Sequence, residues 1–170
     1  MKLLVSACLG GRACRYDGSS RGIPLVRELI DCGTAFPICP EVEGGLTTPR
    51  PACEIVGGTG VDVLQGQARV INKDGVDVSA EFRKGAEESL KMAKEVGATA
   101  AILCERSPSC GVKMIHDGTF CGRLQPGMGV TGAVLALAGI EPISSDDPDL
   151  RERVLACRQG DGSSVPGQCH

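Results

Sequence analysis

Three short apolar runs in this chain, Lys2–Ala7, Ala35–Ile38 and Thr99–Leu103, each lead directly into a loop that carries a cysteine. Runs this short, bounded by glycine and proline, have the length of buried strands. Helical patterns lie between them. Pro24 opens one in which Leu25, Leu29 and Cys32 share a face, and Gly33 stops it. The longest spans about Ala80 to Val96, where Phe82, Ala86, Leu90 and Ala93 recur at helical spacing, with Ser79 as N-cap and Gly97 as stop. Strands alternating with helices predict an α/β fold: a single three-layer domain with a mostly parallel, Rossmann-like sheet and helices on both faces.

The remaining segments fit around that plan. Residues 40–60 are rich in Gly, Pro and Thr without a period and predict an irregular insertion, a type of segment that is usually functional. Val61–Leu64 and Ala68–Ile71 alternate around Gly66 and predict a hairpin, followed by a turn at Asn72–Gly75. His116–Thr119 reads as another turn, Gly127–Gly139 as a buried helix and Glu141–Ile143 as a last strand. Asp149–Gln159 reads as a helix capped by Asp147. The domain is expected to cover residues 1–159, with residues 160–170 a flexible Gly/Ser/Pro-rich tail.

Composition removes several classes of function. At 170 residues and 42% hydrophobic content, the chain can bury one core without disulfides. A net charge of -3 and 2% aromatic residues supply neither a phosphate grip nor stacking platforms, so no nucleic-acid partner is expected. No apolar run reaches the roughly 18 residues of a membrane span. Only Leu3, Leu4 and Val5 separate Lys2 from Ser6, too few for a signal peptide. Val5-Ser6-Ala7-Cys8 mimics a lipoprotein cleavage site, but with no room for its leader. The chain reads as cytoplasmic, and a homo-oligomer is compatible with it. Its ten cysteines are then metal ligands, catalytic groups or small core residues rather than bridges.

Cys8, Cys39 and Cys110 stand apart, because each follows one of the three strands. In open parallel sheets, ligands bind at the carboxyl ends of strands, so three distant thiols can converge there. The chain has no C-x-x-C, and spacings of this length match neither a zinc knuckle nor a ferredoxin run. Three thiolates on an iron–sulfur cubane leave one iron open as a Lewis acid for a soft sulfur ligand. Glu41, two residues past Cys39, is a candidate general acid or base. Ser107 and Ser109, just before Cys110, can position water or a leaving group. Glycines 10, 11, 44, 45 and 111 allow close backbone approach.

Four ordered motifs carry a resemblance. Val5-Ser6-Ala7-Cys8-Leu9-Gly10 comes first, then Arg15-Tyr16-Asp17-Gly18. Cys39-Pro40-Glu41-Val42 follows, with Gly44-Gly45-Leu46 and Thr48-Pro49-Arg50, and Arg106-Ser107-Pro108-Ser109-Cys110-Gly111 closes the set. Over residues 2–143 the chain resembles the 2-thiouracil desulfidase (TudS-like) family. The resemblance implies a [4Fe–4S] cluster on Cys8, Cys39 and Cys110. It also implies non-redox removal of sulfur, as sulfide, from a small thiolated substrate, with Glu41 and Ser107 catalytic. Ser109, Arg50 and Tyr16 are the candidates for substrate binding. Cys104 stands where the family pattern suggests a polar residue, and Cys14 is not required by it. With Cys32, Cys53, Cys121, Cys157 and Cys169, both read as structural thiols. Arg15 and Arg50 equally suit fold-stabilising ion pairs, and His116 and His170 read as surface residues. The alternatives are a non-catalytic metal-binding or redox-responsive cysteine protein, and a cluster enzyme that transfers sulfur instead of discarding it.

Overall fold

The structure is a computed structural model and describes residues 1–160, with side chains to 157. Its central sheet has four strands: β1 (Leu3–Ser6), β2 (Ala35–Ile38), β5 (Ala100–Leu103) and β8 (Glu141–Ser144). They run in the order β2-β1-β5-β8, all parallel. The two inner strands are buried along their whole length, as the continuous apolar sequences Leu-Leu-Val-Ser and Ala-Ala-Ile-Leu require. Pro37 and Pro142 fall on the two edge strands, where a missing N–H breaks no inner ladder.

α1 (Pro24–Asp31) connects β1 to β2. The long α4 (Ser79–Val96) leads into β5, and α5 (Val130–Leu137) leads into β8. The right-handed rule for parallel crossovers puts α1 on one face and α4 with α5 on the other, because the chain moves across the sheet in opposite directions. α6 (Leu150–Gly160) joins the α1 layer, with Arg151 3.9 Å from Glu28. The predicted α/β class and mostly parallel sheet are therefore present. Of the expected tail, residues 161–170 lie outside the described residues. No helix among the described residues is long and apolar enough to cross a membrane.

Several local expectations shift. α1 buries Val26 and Leu29 rather than Leu25 and Cys32, and Cys32 is its half-buried C-cap. Ser79 is not the cap of α4. It is the first helical residue, because its Oγ accepts the Val70 N–H from the neighbouring strand at 2.8 Å, while the Asp77 carboxylate takes Ser79 N–H at 2.9 Å. The expected hairpin at 61–71 is replaced by another. Gly60–Leu64 is a short helix, α3, held by a capping box between Thr59 and Asp62. Its neighbour β4 (Arg69–Asn72) pairs instead with β3 (Cys53–Val56), inside the segment expected to be irregular. The turn at Asn72 forms as expected, with its Oδ1 accepting two backbone N–H groups. His116 is the end of a strand rather than the start of a turn, since β6 (Met114–His116) pairs with β7 (Leu124–Pro126).

Candidate active site

The chain leaves β1 for β2 on one side and later returns to β5 on the other. The topological reversal therefore lies at β1, and the crevice belongs above the carboxyl ends of these three strands. A cavity of about 300 Å³ occupies that place. Cys8 reaches it from the 3-10 turn Ala7–Gly10 directly after β1. Cys39 reaches it as the N-cap of the four-residue α2 (Pro40–Glu43), directly after β2. Cys110 comes from the loop after β5. All three are buried.

Three further thiols, Cys14, Cys53 and Cys104, line the same cavity and are also buried. Cys14 and Cys104 are paired with expected ligands. The Cys14 thiol donates to Cys39, which pulls the Cys39 pKa down and pushes that of Cys14 up. Cys8 likewise donates to Cys104, lowering the Cys104 pKa while its own rises. Burial pushes Cys53 and Cys110 up to about 12. Metal coordination would deprotonate such thiols outright. Among the described residues, no three His, Cys, Asp or Glu groups close in on a single-ion position. Three soft thiol donors from separate strand ends, without a C-x-x-C pair, have the chemistry of cluster ligands rather than of a zinc knuckle.

Glu41 sits in the first turn of α2 and lines the cavity. Its Oε1 accepts Arg50 Nε at 3.1 Å and its Oε2 accepts Ser109 Oγ at 3.0 Å. Ser107 Oγ accepts the N–H groups of Ser109 and Cys110 at 3.1 and 3.0 Å, and lies 2.9 Å from Ser109 Oγ. With two donors already on Ser107 Oγ, its own proton points to Ser109. A chain of hydrogen bonds runs from Ser107 through Ser109 to the Glu41 carboxylate.

Arg50 is buried, and its bonds go to its own scaffold: Glu41, Thr47 O, Thr48 Oγ1 and Cys14 O. It holds the Glu41 carboxylate and the Cys14 loop together. The Thr48–Pro49 bond in that loop is cis. Tyr16 stands at the rim, 44% exposed, with its carbonyl accepting Arg50 N–H. Sequence reasoning missed Glu105. This carboxylate is 7% exposed, and its Oε1 accepts the N–H groups of Val112, Lys113 and Met114, while Oε2 accepts Ser144 Oγ. Burial works against its charge, but these bonds win and hold its pKa below the usual value. It folds the Cys110 loop back on itself. His116, read as a surface residue, instead lines the cavity, and its Nδ1 is buried. No local pattern in the sequence marks this, since the fully buried residue of the strand is the neighbouring Ile115.

Comparison with known proteins adds to this geometry. The family model described as 2-thiouracil desulfurase matches residues 3–147. The uncharacterized protein YbbK of Bacillus subtilis (strain 168) is 48% identical over 145 residues, which cover 85% of this chain and 96% of that protein. A solved structure, the [4Fe–4S]-dependent thiouracil desulfidase TudS (DUF523Vcz), superimposes with a TM-score of 0.81 at 42% identity. The match covers 93% of this chain and 98% of that one.

Proposed function

The chain belongs to the 2-thiouracil desulfurase family, and from that membership we propose that it is a [4Fe–4S]-dependent desulfidase acting on a small thiolated pyrimidine such as 2-thiouracil. The reaction is a hydrolysis: the thiocarbonyl and water give the carbonyl and hydrogen sulfide, with no net change of oxidation state. When bound, the cluster supplies a Lewis-acidic iron with an open position for soft sulfur. Cys8, Cys39 and Cys110 are the residues that would hold it.

The remaining work falls to the chain's own side chains. Glu41 accepts the proton of the attacking water at Oε2, the oxygen that also takes the Ser109 hydroxyl. Arg50 keeps that carboxylate in place from the other side. Ser109 sets the direction of the base, and Ser107 fixes the backbone that carries Ser109 and Cys110. The low exposure of this wall keeps bulk water from the reacting carbon. A reducing, cytoplasmic setting keeps the six cavity thiols free for this role.

One observation carries the reading: three strand-end thiols and a serine-bound carboxylate line one cavity at the sheet's switch point. The test is turnover of 2-thiouracil in ¹⁸O-labelled water by anaerobically reconstituted protein without added reductant. Equimolar uracil and sulfide, with ¹⁸O in the uracil, are expected. An absolute need for a reductant or for a sulfur acceptor would contradict it.

A further inference from the structure

His116 lines the cavity and has no part in the reaction as derived above. Its position is fixed from both sides. The turn that follows it is tied to the buried Glu54, whose Oε1 accepts Gly118 N–H at 3.0 Å and Phe120 N–H at 3.2 Å. On the other side, a bridge between Arg106 and Ile115 sets β6 against the loop that carries Cys110. The imidazole Nδ1 is closed off and has no hydrogen-bond partner among the described residues. A buried N–H without an acceptor is rarer in proteins than an unsatisfied lone pair. The tautomer that fits therefore leaves the lone pair on Nδ1 and the proton on Nε2. With Nδ1 closed off, Nε2–H is the ring donor that can reach a ligand in the cavity His116 lines. Two other donors along the wall are engaged: Arg50 by its own loop, and Arg106 by Asp146 at 2.9 Å.

We infer that His116 is a substrate-orienting residue, donating from Nε2–H to the ring carbonyl oxygen of a thiolated pyrimidine. The inference rests on the desulfidase reading for its choice of ligand. Sulfur is drawn to the thiol side of the cavity, and the remaining strong acceptor of such a ring is its carbonyl. A donor on the β6 wall then selects the ring orientation that brings the thiocarbonyl carbon toward Glu41.

The test combines two measurements on the reconstituted full chain. The chain has two histidines, so ¹⁵N-histidine labelling gives few imidazole signals, and H116Q identifies those of His116. Uracil, the product, is expected to move the His116 nitrogens. In kinetics, H116F is expected to lower the kcat/KM ratio of 2-thiouracil to pyrimidine-2-thione, which lacks the ring oxygen, about tenfold. H116Q, which keeps an N–H donor, is expected to retain part of the preference. Unmoved His116 signals with uracil, or an unchanged ratio in H116F, would overturn the inference. If the wild-type protein releases sulfide from 2-thiouracil while the His116 signals stay still, the desulfidase reading stands without this residue. If uracil moves the signals but no sulfide is released, the reverse holds.

Discussion

Glu41 and Glu105 are two carboxylates a short distance apart in the fold with opposite assignments. Glu41 faces the cavity with one serine and one arginine on it, and capacity for a further proton donor on each oxygen. Replacing it by Gln keeps the shape and removes the proposed base. Glu41→Gln is expected to leave the cluster's visible absorption unchanged and to lower kcat by about 10²–10⁴-fold; near-normal turnover would remove Glu41 from the mechanism. Glu105 is filled by backbone N–H groups and by Ser144, and acts on the fold. Glu105→Gln is expected to cost about 2–4 kcal/mol in chemical denaturation. Because the folded pKa of Glu105 is depressed below its ordinary 4.5, that contribution is present above about pH 4.5 and fades as pH falls through the folded value. The gap between wild type and variant should narrow on acidification below that point, and a gap independent of pH would contradict the assignment.

At the scale of elements, the site depends on how α2 lies against α4. A Cβ on Gly85, in the middle of α4, would meet Pro40 O at 1.9 Å, and one on Gly44 would meet Glu81 O at 2.0 Å. Glycine inside a helix costs about 1 kcal/mol relative to alanine, so Gly85 is kept for this contact. Gly85→Ala is expected to lower stability by about 2 kcal/mol in spite of its better helix propensity. It should also reduce turnover, since α2 carries Cys39 and Glu41; a stabilised, fully active variant would refute the contact. This dependence shows where sequence was informative. The central strands, α4 and the Gly97 stop were legible because each depends on local periodicity and turn chemistry. The alternation of Val61–Leu64 favours a hairpin strand, but the Thr59-x-x-Asp62 capping box turns the segment into a helix. The contacts of Gly85 with Pro40 and of Glu105 with Ser144 join distant segments, so no local pattern announces them.

For the whole molecule, one parallel sheet with its reversal at β1 gathers residues from widely separated segments into a single cavity. The positions of Cys8, Cys39 and Cys110 at strand ends were legible from the sequence, and the family resemblance drawn from the flanking motifs agrees with the family model. Their company was not: Cys14, Cys53 and Cys104 share the cavity, and loop thiols give no periodic signal of where they point. Six buried thiols around one space make the ligand assignment the claim most open to measurement. Anaerobic reconstitution of single Cys→Ser variants, with iron and sulfide counted per chain, separates the thiols. About four irons and four sulfides per chain are expected in the wild type. The same content is expected in the Cys14, Cys53 and Cys104 variants, with a marked loss in those of Cys8, Cys39 and Cys110. Equal losses across all six, or stoichiometric zinc in place of iron, would contradict it.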